Sequence, residues 1–314
     1  MPRRTLVSAI VFSSAFAGAI QAQDHQALSE HVIVVSIDGL RADAIEAAGA
    51  TTLRRLVSGG SATLEAQTIL PSKTLPSHTS MLTGVLPETH GITWNSDRTD
   101  DVGTVSVPTV FKLVKDAGYS TAAFFSKSKF RHLVTEGSLD EARFPNGGVL
   151  PASRTVTDAI RYMQYRRPNL LFVHIADTDF MGHRVGWMSG MYLRAVREAD
   201  EGVEALLEAA EDAYGEGNFT LIVTADHGGH GHDHGSDQAV DMTIPWISYG
   251  KGIREEHRIA GAVRTVDTAA TVLRMMGVAV PETWAGVPVS EALTTAAAQA
   301  VVAPAAGGGG GGGR

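Results

Sequence analysis

The sequence predicts an α/β fold: a mostly parallel central sheet sandwiched between helices, in a single domain. Three observations predict it. Four short runs are almost continuously apolar, as expected of strands covered on both faces. Helix-like stretches alternate with them, and three of the four runs are followed at once or nearly so by an aspartate. The first run, residues 31–37, reads His-Val-Ile-Val-Val-Ser-Ile, and runs 170–175, 219–224 and 244–249 share its character. The helix-like stretches are 107–117, with Pro108 near its start and Gly118 just past its end, then 154–165, 191–213 and 265–276, the last followed by Gly277. Neither an internal repeat nor a dividing linker interrupts this alternation.

A chain of 314 residues with 44% hydrophobic and 19% charged content can bury a substantial core. The absence of cysteine excludes a disulfide framework, thiolate zinc sites, iron–sulfur clusters and a cysteine nucleophile. Any metal must therefore be held by histidine and carboxylate. A net charge of −8 disfavours coating of duplex nucleic acid. At the N-terminus, Arg3 and Arg4 precede an apolar stretch ending in Ala-Gly-Ala-Ile-Gln-Ala, the order of a secretory signal. We expect a signal peptide over 1–22, a catalytic domain over 23–300 and a flexible glycine-rich tail over 301–314, with a mature protein that is periplasmic or secreted and carries no membrane span.

Ligand sites in open α/β sheets lie beyond the carboxyl ends of the strands. Asp38 follows the first run, Asp177 and Asp179 follow the second, and Asp226 the third, so three strand exits deliver carboxylates to one edge. One Asp-Gly is an ordinary turn, but three such exits with histidine companions are not. Asp179 and His183 are four apart, so one helical turn would bring them onto one ion. Asp226 and His227 are adjacent and can share an ion only if the backbone turns, which Gly228 and Gly229 make easy. Carboxylate and imidazole donors suit zinc, with manganese or iron as alternatives. The following run, His230-Gly-His232-Asp-His234, supplies further imidazoles. His234 is the candidate ligand among them; His230 and His232 read as satisfied polar or supporting groups.

A second constellation is Pro71-Ser-Lys-Thr-Leu-Pro-Ser-His78. Thr74 falls at the first turn of a helix, where unpaired N–H groups and the dipole favour an anion. An alcohol there, beside a metal, can attack phosphorus. Local spacing equally allows Thr74 to be a simple helix cap.

Together these segments resemble the alkaline phosphatase superfamily, and most closely its nucleotide pyrophosphatase/phosphodiesterase branch. Val-Ser-Ile-Asp-Gly-Leu-Arg (35–41), the 71–78 segment, Thr-Gly-Val-Leu-Pro-Glu-Thr-His-Gly-Ile-Thr-Trp-Asn (83–95), Asp-Phe-Met-Gly-His (179–183) and Thr-Ala-Asp-His-Gly-Gly (224–229) carry the resemblance, in the family's order. It implies two zinc ions: one on Asp38, Asp226 and His227 with Thr74 bridging as nucleophile, the other on Asp179, His183 and a third histidine that falls most naturally at His234. It also implies that Asn95, with the backbone amide of Thr74, binds a non-bridging phosphate oxygen, and that the reaction passes through a covalent phospho-threonine.

The implied activity is hydrolysis of a small phosphate ester, the substrate being a phosphodiester or nucleotide. The alternative is a phosphonate (phosphonoacetate-like) or phosphomonoester hydrolase on the same scaffold. A dianionic monoester would favour an added cation near the phosphate, for which Arg41, Lys73, Lys127 and Lys129 are the candidates. A sulfatase of the usual kind oxidises a Cys or Ser nucleophile, which Thr74 cannot replace. A metal-binding periplasmic protein without turnover would have no need of an alcohol between metals.

Overall fold

The computed structural model describes residues 26–294. The expected signal segment and its cleavage, and the glycine-rich tail, lie outside the described residues. Eight strands form one sheet: β1 (Val32–Ile37), β2 (Ser61–Gln67), β3 (Thr121–Phe124), β4 (Glu141–Arg143), β5 (Leu170–Ile175), β6 (Thr220–Thr224), β7 (Thr243–Gly250) and β8 (His257–Arg258), in the order β4-β3-β5-β1-β6-β7-β2-β8. Both ladders of β7 are antiparallel and the rest are parallel. The expected α/β architecture, mostly parallel and flanked by helices, is the one observed. Every residue of β1, β5 and β6 is buried, which is why these strands read as unbroken apolar runs.

The helices are α1 (Ala44–Ala48), α2 (Thr51–Gly59), α3 (Thr74–Thr83), α4 (Pro87–His90), α5 (Thr99–Val102), α6 (Val110–Asp116), α7 (Ala152–Arg166), α8 (Asp177–Val185), α9 (Gly190–Tyr214), α10 (Ala239–Met242) and α11 (Asp267–Met275). One layer gathers α1, α2, α7 and α8 around α9, and the other packs α3, α6 and α11 together. In α9 the buried positions Ala195, Val196, Ala199, Val203, Leu206, Leu207 and Ala210 recur at three and four residues, the stripe that faces a core. The helix expected over 107–117 is shorter, because Thr109 caps it by accepting from the Lys112 N–H at 3.2 Å, which leaves Pro108 outside. No helix among the described residues is long and apolar enough to cross a membrane.

Candidate functional site

Three parallel strands end side by side, and each exit is tied to the next. The Asp38 N–H, just past β1, donates to Ile175 O at the end of β5 (2.8 Å), and the Gly39 N–H donates to Asp226 Oδ1 beyond β6 (3.0 Å). Past β5 the chain turns directly into α8, which sets Asp179 and His183 one turn apart, with His183 Nε2 3.3 Å from Asp179 Oδ1. Past β6, Gly228 and Gly229 donate to Asp241 O and Val240 O. A Cβ on Gly228 would collide with Val240 O, so the turn that brings Asp226 and His227 together needs glycine.

The candidate ligands converge. Donor atoms of Asp38, Asp226 and His227 lie within 4.8 Å of one another, as do those of Asp179, His227 and His234. His227 Nε2 is 3.3 Å from both Asp38 Oδ1 and Asp226 Oδ2, and His234 Nε2 is 3.6 Å from Asp179 Oδ1. The three expected imidazole ligands share one device: His227, His234 and His183 each place Nδ1 against a backbone carbonyl, of Gly228 (2.7 Å), Ser72 (2.9 Å) and His232 (2.9 Å). Donation from Nδ1 fixes the tautomer that leaves a lone pair on Nε2, the atom facing the carboxylates. His230 turns instead to Asp241 Oδ1 (2.7 Å) and His232 to His183 O (3.1 Å), so the histidine-rich loop contributes only His234 to the cluster.

The donor set suits bound cations. Asp179 Oδ1 and Asp226 Oδ2, one from each expected ligand set, are buried and have no hydrogen-bond partner, a costly arrangement unless something positive satisfies them. The same demand for positive charge shows in the titration. Burial raises the Asp38 pKa, but the Lys127 ammonium and hydrogen bonds from His174 and His227 outweigh it and hold the carboxyl well below its usual range. Burial works against a charged His227, yet Asp226 and Asp38 raise its pKa to about 9. Burial lowers His234 to about 4, which favours the neutral ring that a metal ligand requires.

Thr74 is the first residue of α3, and Lys73 precedes the helix. Its Oγ1 lies 3.4 Å from Asp38 Oδ1 and 3.5 Å from His227 Nε2, aimed into the cluster and away from the N–H groups of its own helix. The capping contact is made by Asn95, whose Oδ1 accepts from the Leu75 N–H at 2.9 Å and from Lys129 Nζ at 3.0 Å. With Oδ1 so occupied, the amide plane is fixed and Nδ2 is the group left to donate. His78 Nδ1 donates to Thr74 O (2.8 Å), and its Nε2 meets Ser36 Oγ (2.8 Å) on β1.

Of the four candidate cations, Lys127 lies deepest, with Nζ 2.6 Å from Asp38 Oδ2 and 2.5 Å from Asp179 Oδ2. Lys129 follows on the 3₁₀ turn Ser128–Leu133. Arg41 is engaged by Asp43, and Lys73 runs along Gly235. Thr74, Asn95, Lys127, Lys129, Asp179, Phe180, His183 and His234 all line one open cleft of about 470 Å³. A groove of about 570 Å³ over Arg41, Ile45, Leu64 and Val240 reaches none of them. Two residues that sequence reasoning missed complete the surroundings. His174, inside β5, accepts the Ser126 N–H on Nδ1 and donates from Nε2 to Asp38 Oδ2 (2.9 Å); a histidine within an apolar strand gives no signal of such a role. Trp187 is buried against Gly39, Gly182 and Gly229, and its Nε1 donates to Gly39 O at 2.9 Å.

Comparison with known proteins places these residues in context. The family model for type I phosphodiesterase/nucleotide pyrophosphatase matches residues 32–243. The chain is 26% identical over 216 residues to venom phosphodiesterase of Macrovipera lebetinus, covering 63% of this chain and 25% of that protein. It is 24% identical over 233 residues to ectonucleotide pyrophosphatase/phosphodiesterase family member 1 of Rattus norvegicus, covering 64% and 24%. The chain thus spans about a quarter of the length of these relatives. Murine ectonucleotide pyrophosphatase/phosphodiesterase 5, solved as an inactive form with AMP, superposes with a TM-score of 0.69 at 16% identity, over 82% of this chain and 98% of the other. A 2-O GAG sulfatase shares the fold at a TM-score of 0.68, also with 16% identity, over 83% of this chain and 73% of its own.

Proposed function

The chain belongs to the type I phosphodiesterase/nucleotide pyrophosphatase family, and on that premise we propose that it is a secreted, metal-dependent phosphodiesterase acting through a phospho-threonine at a two-zinc site. One observation carries the reading: the Thr74 hydroxyl stands against Asp38 and His227 of one carboxylate–imidazole set and opens on the cleft that Asp179, His183 and His234 of the other also line, and each set holds a buried carboxylate oxygen without a hydrogen-bond partner. Asp38, Asp226 and His227 would hold one ion, and Asp179, His183 and His234 the other. Zinc, or manganese or iron in its place, would lower the pKa of the Thr74 hydroxyl and offset the charge of the phosphoryl group.

The chain's own groups then have defined tasks. Thr74 Oγ1 attacks phosphorus, the ester P–O bond opposite it breaks, and the alcohol leaves; water next cleaves the Thr74 ester and frees the hydroxyl. The Thr74 N–H, at the first position of α3, and Asn95 Nδ2 donate to a non-bridging oxygen. His78 fixes the Thr74 carbonyl, and His174 fixes Asp38. The AMP of the murine structure makes a nucleotide a natural substrate to test. We place the catalytic unit at 23–300 behind a leader at 1–22, which agrees with the venom and ectoenzyme names of the relatives.

The test compares an aryl phosphodiester, the matching monoester and phosphonoacetate, with wild type and Thr74→Ala. Thr74-dependent ester hydrolysis that is lost on chelation and restored by zinc supports the reading. Unchanged activity in Thr74→Ala removes it.

A further inference from the structure

Helix α8 presents two parallel rows of side chains to the cleft, and the proposed chemistry uses only one of them. Asp179 and His183, one turn apart, are expected ligands. Phe180 and Arg184 repeat that spacing one residue on, and they line the same cleft. The face of α8 that carries Gly182 lies against the indole of Trp187, where a Cβ would collide with the ring, while Phe180 and Arg184 stay exposed.

Arg184 also has no partner. Among the described residues no carboxylate or carbonyl oxygen meets its guanidinium, whereas Arg41, Arg131 and Arg194 each pair with an acid. A planar fork of N–H donors on a cleft wall suits the paired oxygens of a carboxylate or phosphoryl group.

The direction of attack decides which part of a substrate reaches this row. In-line displacement places the entering and leaving oxygens on opposite sides of phosphorus. Thr74 Oγ1 enters beside Asp38 and His227 and makes no hydrogen bond to Asp179, His183 or His234. The leaving oxygen therefore departs toward that second set, and the group it carries comes to lie along α8. Phe180 and Arg184 stand one helical turn apart, about 6 Å along the axis, so one substituted ring spans both. An apolar body matches the first, and a negative charge matches the second.

We propose that Phe180 and Arg184 form a leaving-group subsite that selects alcohols or phenols with an apolar body and an anionic end, a carboxylate or a phosphoryl group. The inference rests on the phosphodiesterase reading above and names the leaving group that the site prefers. In the step concerned, the Thr74 Oγ1–P bond forms as the bond from phosphorus to the leaving oxygen breaks, and the leaving group takes up a proton. Arg184 has no part in that exchange; it holds the charged end.

The experiment uses the zinc-loaded full chain and methyl aryl phosphodiesters whose leaving phenol bears a para carboxylate, phosphonomethyl or carboxamide group. Each kcat/KM is divided by that of the neutral carboxamide, in wild type, Arg184→Met, Arg184→Lys and Arg184→Glu. A control diester carries its carboxylate on the retained group and releases nitrophenol. Calorimetry of the carboxylate and carboxamide diesters binding to Thr74→Ala, with and without Arg184→Met, gives a readout free of turnover. The charged-to-neutral ratio should fall about 5- to 10-fold in Arg184→Met and further in Arg184→Glu. Arg184→Lys should keep part of it, and added salt should shrink it, because the pair is exposed. In the Thr74→Ala background, Arg184→Met should weaken binding of the carboxylate diester more than that of the carboxamide. The larger dependence, on carboxylate or on phosphonate, identifies the anion. Equal loss on charged and neutral leaving groups, or no loss on either, overturns the proposal. An equal loss on the control diester does so too, because it puts the charge on the retained side. If no diester is cleaved in a Thr74-dependent way, the parent reading fails and this one with it; Thr74-dependent cleavage with a ratio that no Arg184 variant alters sinks this one alone.

Discussion

His174 Nε2 donates to Asp38 Oδ2 at 2.9 Å, from the side of the carboxylate opposite Thr74 and His227, which both approach Oδ1. The ring cannot turn, because its Nδ1 accepts the Ser126 N–H at 3.3 Å. His174 therefore aims Asp38 without being a ligand itself. Loss of such a supporting partner typically lowers metal affinity by about 10- to 100-fold. His174→Ala should do so in a zinc titration monitored by calorimetry, and His174→Gln, which retains a donor, should lose less.

His183 is the most exposed of the expected ligands, with its Nε2 3.3 Å from Asp179 Oδ1. His183→Ala should bind fewer zinc equivalents after mild chelation and lose activity in parallel. Elemental analysis of the purified variant checks this; full zinc occupancy with full activity would remove His183 from the set.

Lys127 bridges Asp38 and Asp179, with burial opposed by both carboxylates, which together raise its pKa. Removing one member of such a buried cluster leaves charge uncompensated, at a cost of about 3–5 kcal/mol. Lys127→Met should lower the urea midpoint of the chelated protein accordingly. Saturating zinc should narrow the difference, because added positive charge takes over the same carboxylates.

His90, bonded to Ser80 on α3 and to none of the expected ligands, gives a pH dependence of its own. Burial lowers its pKa to about 4, and both ring nitrogens are engaged, Nε2 with Ser80 Oγ at 2.9 Å and Nδ1 accepting the Ile92 N–H at 3.1 Å. A histidine whose folded pKa lies below its unfolded value binds more protons when unfolded. Its contribution is intact above the unfolded pKa and is lost as pH falls toward the folded one. Between about pH 6.5 and 4 this removes on the order of 2 kcal/mol. Urea midpoints measured across that window should fall less steeply in His90→Gln than in wild type.

Phe180 lines the cleft with 44% of its surface exposed, beside Val149 at 43%. On the proposed function, this apolar wall is where the organic part of a substrate is expected to rest. Phe180→Ala should raise KM for aryl esters by about 3- to 10-fold with little change in kcat, the pattern of contacts made equally in ground and transition states. An unchanged KM would place the aryl group elsewhere.

The strands and the acidic exits were legible because burial on both faces leaves β1, β5 and β6 no polar alternation to blur. The helical spacing of Asp179 and His183 was equally open to reading. Other elements were not. β2 is half exposed and shifts register between Thr63 and Ala66, while β3 is four residues with two alanines, so neither carries a periodic signal. The antiparallel run of β7 could not be seen, since strand direction leaves no mark on an apolar segment. In the site, Lys127 and Lys129 stood out only as charges. Their placement depends on β3 lying beside β5, a long-range pairing that no local pattern encodes.

The indole of Trp187 fills the space between Gly39, Gly182 and Gly229, where a Cβ on any of the three would press on its ring. Gly39 adjoins Asp38, Gly182 adjoins His183 within α8, and Gly229 lies two residues past His227, so one aromatic keystone interlocks the segments that supply most of the donor set. Divergence in such a scaffold is channelled elsewhere: none of these three segments can change its glycine without displacing the indole that the others pack against, whereas Gly148 and Val149, on the rim of the cleft, are outside that interlock. New specificities should arise on that rim first, and in a variant whose other three tryptophans are replaced by Phe the emission of Trp187 becomes an optical gauge of whether the interlocked side is assembled.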